Sequence, residues 1–590
     1  MNLSKYLTSR VVVLGVLLGA LALALTAPAT TFGQGSGAAV DNPLVVSAAS
    51  MPDGLGKSGG TLIMDNISDP QTFNPITARD DGSDAILKLI NAGLMARDGS
   101  VAVAESFNIA PDETSVTFTL RKGIKFSDGT PVTAEDVRFT LQDVIFSANV
   151  NSSKQAWLLN GQFPNVQVIN DSTIKISSSV PFPGLLSNLA DTPILPKHLL
   201  SGSVQSFNQA WSIVTPPSQI AGLGPFVIKS YTPGQQVVLA RNPYYWKTDS
   251  SGVQLPYLDQ VILPVTTNDD VRLLRFLNGQ TDVYPPRPQD LQSIRDKSAD
   301  GFNVVVQPAG TADSNVFSFN EDAADPNLQK LFRDERFRQA MSYAADRASM
   351  ISTGLDGLGE PRYGPGISSE YFIGDDADFP QYAFDMSKAR QLLDQIGLTD
   401  SNGDGVREFP SSYPQPGAAV QFELLTVQDS SVLINDATIY SQALKSLGIN
   451  VTATPVAFNT LVTRLLNSKT PQYQVARITI SFSGDPDYLG DIYAAKGTLH
   501  FWKYSDAQGQ AVPDWQNQVQ QLLTQQTVES DPSKRFDELK QFQQVVAQHV
   551  PLVYLYNAQA MQADRKDRIG NFSGTERSVT LLNPDYIFHK

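Results

Sequence analysis

Apolar and polar residues alternate at 116–120. Val116, Phe118 and Leu120 are separated by threonines, and Arg121 follows. Such alternation belongs to a half-buried strand pair. Ile124 and Phe126 carry it toward Asp128-Gly129, a tight-turn signal because glycine accepts positive φ without steric cost. Thr133 then suits an N-cap, with Glu135 and Asp136 in the first helical turn. Val137, Leu141, Val144, Ile145 and Ala148 recur at helical spacing and predict an amphipathic helix.

Upstream, 59–64 predicts a short strand and 85–95 a helix with Ile86, Leu89, Ile90 and Leu94 on one side. Strand patterns return at 222–229, 237–239 and 261–264, and 271–277 predicts a helix ending at Asn278-Gly279. The second half alternates more regularly. Strands are predicted at 316–320, 422–425, 451–453 and 551–556, and helices at 334–351, 387–396 and 436–447. A last long helix starts at Asp531-Pro532, with Phe536, Leu539, Phe542, Val545 and Val546 inward. Alternating strands and helices predict an α/β fold class.

Composition narrows the picture. The 590 residues suggest roughly two to four domains. A net charge of −15 argues against a nucleic-acid partner, which would need basic stripes. Lys5 and Arg10 precede the apolar run 11–25, and Ala27-Pro28-Ala29 offers a cleavage site. Residues 1–29 therefore read as a signal peptide, cleaved or kept as an anchor, and the mature protein is expected outside the cytoplasmic membrane. The chain has no cysteine, which excludes a Cys-anchored lipoprotein, disulfides and Cys-ligated zinc. Residues 30–58, rich in Gly, Ser, Ala and Pro, read as a flexible linker. Gly56-Lys57-Ser58 is no phosphate loop, since Met51 stands where the first glycine belongs.

Four runs carry a resemblance: RKGIKFSDGTPVTAEDV at 121–137, PILPKHLL at 193–200, GLGPFVIKSY with ARNPYYW at 222–231 and 240–246, and RFRQAMSYAADR at 336–347. They resemble the extracytoplasmic solute-binding proteins of family 5, the substrate binders of peptide and nickel ABC importers. The resemblance implies a two-lobed periplasmic-binding-protein (Venus flytrap) fold with an extra inserted subdomain in lobe I. On that reading lobe I spans 59–312, with the insertion at about 97–205. Lobe II spans 313–556, and 557–590 returns to lobe I. The implied function is capture of short peptides between the lobes and delivery to a membrane permease, by a monomer with no cofactor. An oligosaccharide or other non-peptide solute on the same fold is the alternative, and a secreted hydrolase a remote one.

The same resemblance points to candidate site residues. It places 77–80 near the ligand, where Arg79 is suited to pairing with a carboxylate. Peptide binders carry an aromatic-x-x-Asp whose carboxylate holds the peptide α-ammonium. Phe482 and Asp485 have that spacing here. The aromatic is usually tryptophan and the loop is shorter, so Asp487 is the other candidate. Tyr488 and Trp502 either flank the ligand or serve as packing.

Other chemistry is sparse. Asp400, Asn402, Asp404, Gly405 and Glu408 resemble the first part of a calcium loop, but Ser411 stands where a bidentate glutamate belongs. A polar turn is the competing reading. Four scattered histidines suggest no metal cluster, and HExxH does not occur.

Overall fold

A computed structural model describes residues 43–590 apart from 48–49, 97–98, 191, 375–378, 467–471, 481–484, 496, 503–511 and 573–583. The expected leader and Phe482 lie outside the described residues.

The alternating stretch forms the strand Ser115–Leu120, whose Val116, Phe118 and Leu120 are buried. It pairs antiparallel with Ala104–Ile109 on one side and Thr173–Ser177 on the other, and Asn165–Asn170 completes this sheet. The expected partnership with 124–126 is not made. That segment instead turns through Asp128, whose carboxylate lies 2.7 Å from His198 Nε2 of the PKHLL motif.

Thr133 caps the next helix as expected. Its backbone N–H and hydroxyl both donate to Asp136 Oδ2, at 2.8 and 2.9 Å. The helix differs beyond this point: Ala134–Arg138 is α-helical, but Phe139–Ile145 widens into a π-helix. Thr140 donates its hydroxyl to the Asp136 carbonyl and accepts from Leu195 N–H, which accompanies the disturbed turn. Val137, Leu141, Val144 and Ile145 remain buried.

A second sheet in this half orders Thr61–Ile63, Gln260–Pro264, Gln236–Arg241 and Phe226–Thr232, with only the first pair parallel. Beside it Leu44–Val46 runs parallel to Lys247–Asp249. This corrects the linker expectation for part of 30–58: Val46 and Met51 are buried, and Asp53 and Asn571 bond reciprocally. A short apolar run supplies enough buried area to order a segment whose composition alone reads as flexible. Both sheets share one apolar core, drawn from residues 46–263 with Val283, Ile569, Ile587 and Phe588.

The other half is a five-stranded sheet ordered Asn450–Val456, Gln421–Val427, Val475–Ile480, Ser314–Phe319 and Leu552–Tyr554. All run parallel except Ser314–Phe319, which is antiparallel to both its neighbours. Every residue of Ser314–Phe319 is buried, because separate apolar cores cover the two faces. The single helix expected over 334–351 is two, Glu335–Tyr343 and Arg347–Gly354, capped by Asp334 and Asp346. The buried Arg347 guanidinium takes the carbonyls of Ser342, Ala345, Tyr382 and Tyr554 at this break.

Two chain crossings link the halves. Phe302–Ala309 and Tyr556–Arg565 pair antiparallel between them, and Gly310 to Asp313 leads into Ser314–Phe319. A buried polar group ties both crossings to the second half. Arg477 donates to Asp436 (2.8 Å), Asn315 (3.0 Å) and the Tyr556 hydroxyl (3.1 Å), while Tyr556 donates to Asp436 at 2.6 Å. Asn315 in turn donates to the Tyr556 carbonyl.

Candidate functional site

The residues 485–488 form a single turn of 3₁₀-helix, with Asp485 as N-cap accepting from Asp487 N–H at 3.1 Å. Proline at the first helical position pre-sets φ and removes an N–H that would lack a partner there. Beneath the turn runs the helix Pro532–His549, which projects Arg535 into it.

Arg535 grips Asp485 with both ends of its guanidinium: Nη1 donates to Oδ2 at 2.9 Å, and Nη2 to Oδ1. Nη2 also reaches Asp487 Oδ1 at 3.2 Å, and Gln526 Nε2 donates to the same oxygen at 3.0 Å. Arg535 Nε is held by the Gln526 carbonyl and side chain. Relative exposures of 7% for Asp485, 3% for Asp487 and 1% for Arg535 make this a buried ionic cluster. Burial opposes the charged form of Arg535, but the carboxylates of Asp485 and Asp487 outweigh it and raise the guanidinium pKa. Two carboxylates thus share one guanidinium.

The turn faces the other half of the molecule. Gly184 lies directly over it, with Asp487 and Asp485 as the nearest atoms to its Cα–H face. The helix Leu489–Tyr493 packs on the turn Lys154–Trp157 of the first half. Arg79 approaches from the same side. Its guanidinium donates to the carbonyls of Ile76, Ala78 and Asn151 at 3.0, 2.6 and 3.0 Å. Burial lowers its pKa, and the charge of Asp491 with the phenol of Tyr488 pulls in the opposite direction.

The structure thus brings Arg79, Asp485, Asp487 and Tyr488 to one region between the halves. Tyr488 is buried at 3% exposure. Trp502 takes the packing alternative: it has no exposed surface, with its ring 4.0 Å from His500 and 5.6 Å from Tyr493. Sequence reading missed Arg535, Gln526 and Gly184. Arg535 had a readable signal, since it stands four residues before Leu539 on the inward stripe of its helix, where a charge needs a partner. Gly184 had none.

At 400–408 the ligand oxygens of Asp400, Asp404 and Glu408 lie within 4.8 Å of one another. The loop's own donors use them: Asp400 accepts from Gly403 and Gly405 N–H, and Glu408 from Ser401 and Asn402. A polar turn accounts for every one of these contacts.

The sequence pattern of the bacterial extracellular solute-binding proteins, family 5, in its middle region, matches residues 100–499, more than half of the chain. The chain belongs to this family. Members bind solutes outside the cytoplasm and are not enzymes. Among curated relatives, the "Probable ABC transporter-binding protein" of Deinococcus radiodurans is 28% identical over 435 residues, 70% of this chain and 71% of that one. The oligopeptide-binding protein AppA of Bacillus subtilis is 27% identical over 526 residues, 86% of this chain and 88% of that one. The structure of AppA with a nonapeptide superposes with a TM-score of 0.78 at 24% identity, covering 91% of this chain and 100% of AppA. The periplasmic binding protein MelB of Agrobacterium fabrum, in complex with stachyose, gives a TM-score of 0.79 at 22% identity over 94% of this chain and 88% of MelB. These likenesses establish the bilobed periplasmic-binding-protein fold. Among the described residues no helix is long and apolar enough to cross a membrane.

Proposed function

We propose that this protein is the capture component of an ABC importer. It is exported by its leader, works as a monomer, closes over a short peptide and delivers it to a membrane permease. Lobe I is 59–312 with its inserted subdomain at about 97–205 and the return at 557–590; lobe II is 313–556. The observation that carries this reading is the interlobe position of the acidic turn. Two carboxylates buried between the halves suit the α-ammonium of a peptide, which needs a fixed anion once stripped of water. Likeness to an oligopeptide-binding protein along 86% of the chain points the same way. Asp485 or Asp487 then serves as counter-ion, with Phe482, Tyr488 and Arg79 around the cargo.

One observation favours a second cargo. Arg535 takes both oxygens of Asp485, and Gln526 and Gly184 cover Asp487. A turn so occupied suits a neutral oligosaccharide, the class that MelB holds. Native mass spectrometry of protein purified from its own host separates the two. Released peptide masses support the first reading, and masses spaced by a hexose support the second. For peptides, Asp487→Asn is expected to lower affinity for free-amine tetrapeptides at least about tenfold, the scale of losing a charged partner. N-acetylated tetrapeptides should bind both forms alike, and an unchanged free-amine affinity removes Asp487 from the site.

A further inference from the structure

We infer that Gly184 is the seat on which the two lobes close, and that its missing side chain sets how completely they shut. The inference rests on the two-lobe reading above. Gly184 follows Pro181-Phe182-Pro183 and leads into the helix Leu185–Ala190. Its φ lies outside the left-handed region, so the backbone does not demand glycine at this position. The demand comes from the other lobe. A Cβ at Gly184 would overlap Asp487 Oδ2 and lie 2.9 Å from Asp487 Cγ and 3.3 Å from Asp485 Oδ1. Gly184 and its two chain neighbours aside, no described atom of lobe I approaches that point as closely as these carboxylates.

The carboxylates cannot easily withdraw. Arg535 and Gln526 hold them from below, and the turn that carries them is braced by Pro486. A side chain at 184 therefore meets a rigid surface, and packed surfaces respond to overlap by separating. The rest of the interlobe contact depends on the same approach. Leu489–Tyr493 meets Lys154–Trp157, Val528 packs on the lobe I core, and at the surface Gln71 Nε2 donates to Asn459 Oδ1 at 2.9 Å. Gly184 is thus a positioning residue for capture: it acts through the fit of the lobes and not through contact with cargo.

The chain has no cysteine, so a reporter pair is clean. Gln71→Cys with Asn459→Cys, in the otherwise unaltered mature chain, places two thiols where the lobes touch at the surface. The rate at which a short bismaleimide joins them, read as a mobility shift, reports how often the lobes meet. Adding Gly184→Val is expected to slow joining about tenfold, with the melting temperature of each lobe retained. Adding Asp487→Ala to that variant removes the overlapped carboxylate and is expected to restore most of the rate. Equal rates with and without the Gly184→Val substitution overturn the inference while leaving the two-lobe reading intact, as does a slowed rate that Asp487→Ala fails to restore. No joining even with Gly184 present means that the lobes do not meet in this register, which sinks the closure reading itself.

Discussion

Replacing Arg535 by methionine removes the guanidinium that holds Asp485 and Asp487, and its cost follows from the geometry. A pair at the surface would contribute about 0–1 kcal/mol. This one is almost fully removed from water, with the arginine 1% exposed. Breaking a buried pair by deleting one partner costs about 3–5 kcal/mol, because the orphaned charge stays behind. Two carboxylates are orphaned here, which places the expectation in the upper part of that range. For a cooperative unit of about 150–250 residues, each kcal/mol moves the melting temperature by about 2–4 °C, so a fall of about 8–20 °C is expected by scanning calorimetry. Adding Asp485→Asn and Asp487→Asn to Arg535→Met should recover much of the loss, since the charges that cannot be buried alone are gone. The single variant should also gain stability as pH falls, because its orphaned carboxyls then take up protons more readily folded than unfolded. A fall of under about 2 °C, the surface-pair scale, would refute the reasoning. So would a triple variant less stable than the single one.

Other expectations are independent of that cluster. Tyr556→Phe deletes the hydroxyl that joins Asp436 to Arg477 at the crossing; urea unfolding should show a lower midpoint at unchanged slope, by about 1–3 kcal/mol. Burial pushes Glu321 up to about 7 against the pull of Arg338 and Arg333. The folded state therefore holds a proton that the unfolded chain releases near 4.5, so stability should fall as pH rises from 4.5 to about 7. Glu321→Gln should flatten that part of the pH profile, and an unchanged profile would show that another group titrates there. At 400–408 the carboxylates already serve the loop's own N–H groups, so millimolar calcium and excess chelator should give the same melting temperature. A calcium-dependent rise would establish the site.

Local chemistry was legible where it is decided locally. Alternation in 115–120, the Thr133 cap and the proline after Asp531 each reflect interactions within a few residues, and the structure places strand, cap and helix there. The helix break at 344–346 was not legible. The motif RFRQAMSYAADR has continuous helical spacing, and part of what holds the break is distant: Arg347 donates to the carbonyls of Tyr382 and Tyr554. The same holds for 44–46, whose partner strand lies about two hundred residues away.

The amino-acid sequence by itself determined the family, the α/β class and the address of the acidic turn, because signature runs and periodicity are properties of neighbouring residues. Only the tertiary structure decided what that turn touches. Arg535 comes from fifty residues downstream and Gly184 from about three hundred upstream, and neither spacing nor composition records that they converge on the same two carboxylates. Burial and charge pairing arise when separate elements displace water from a shared space, so they become visible only once the chain has folded.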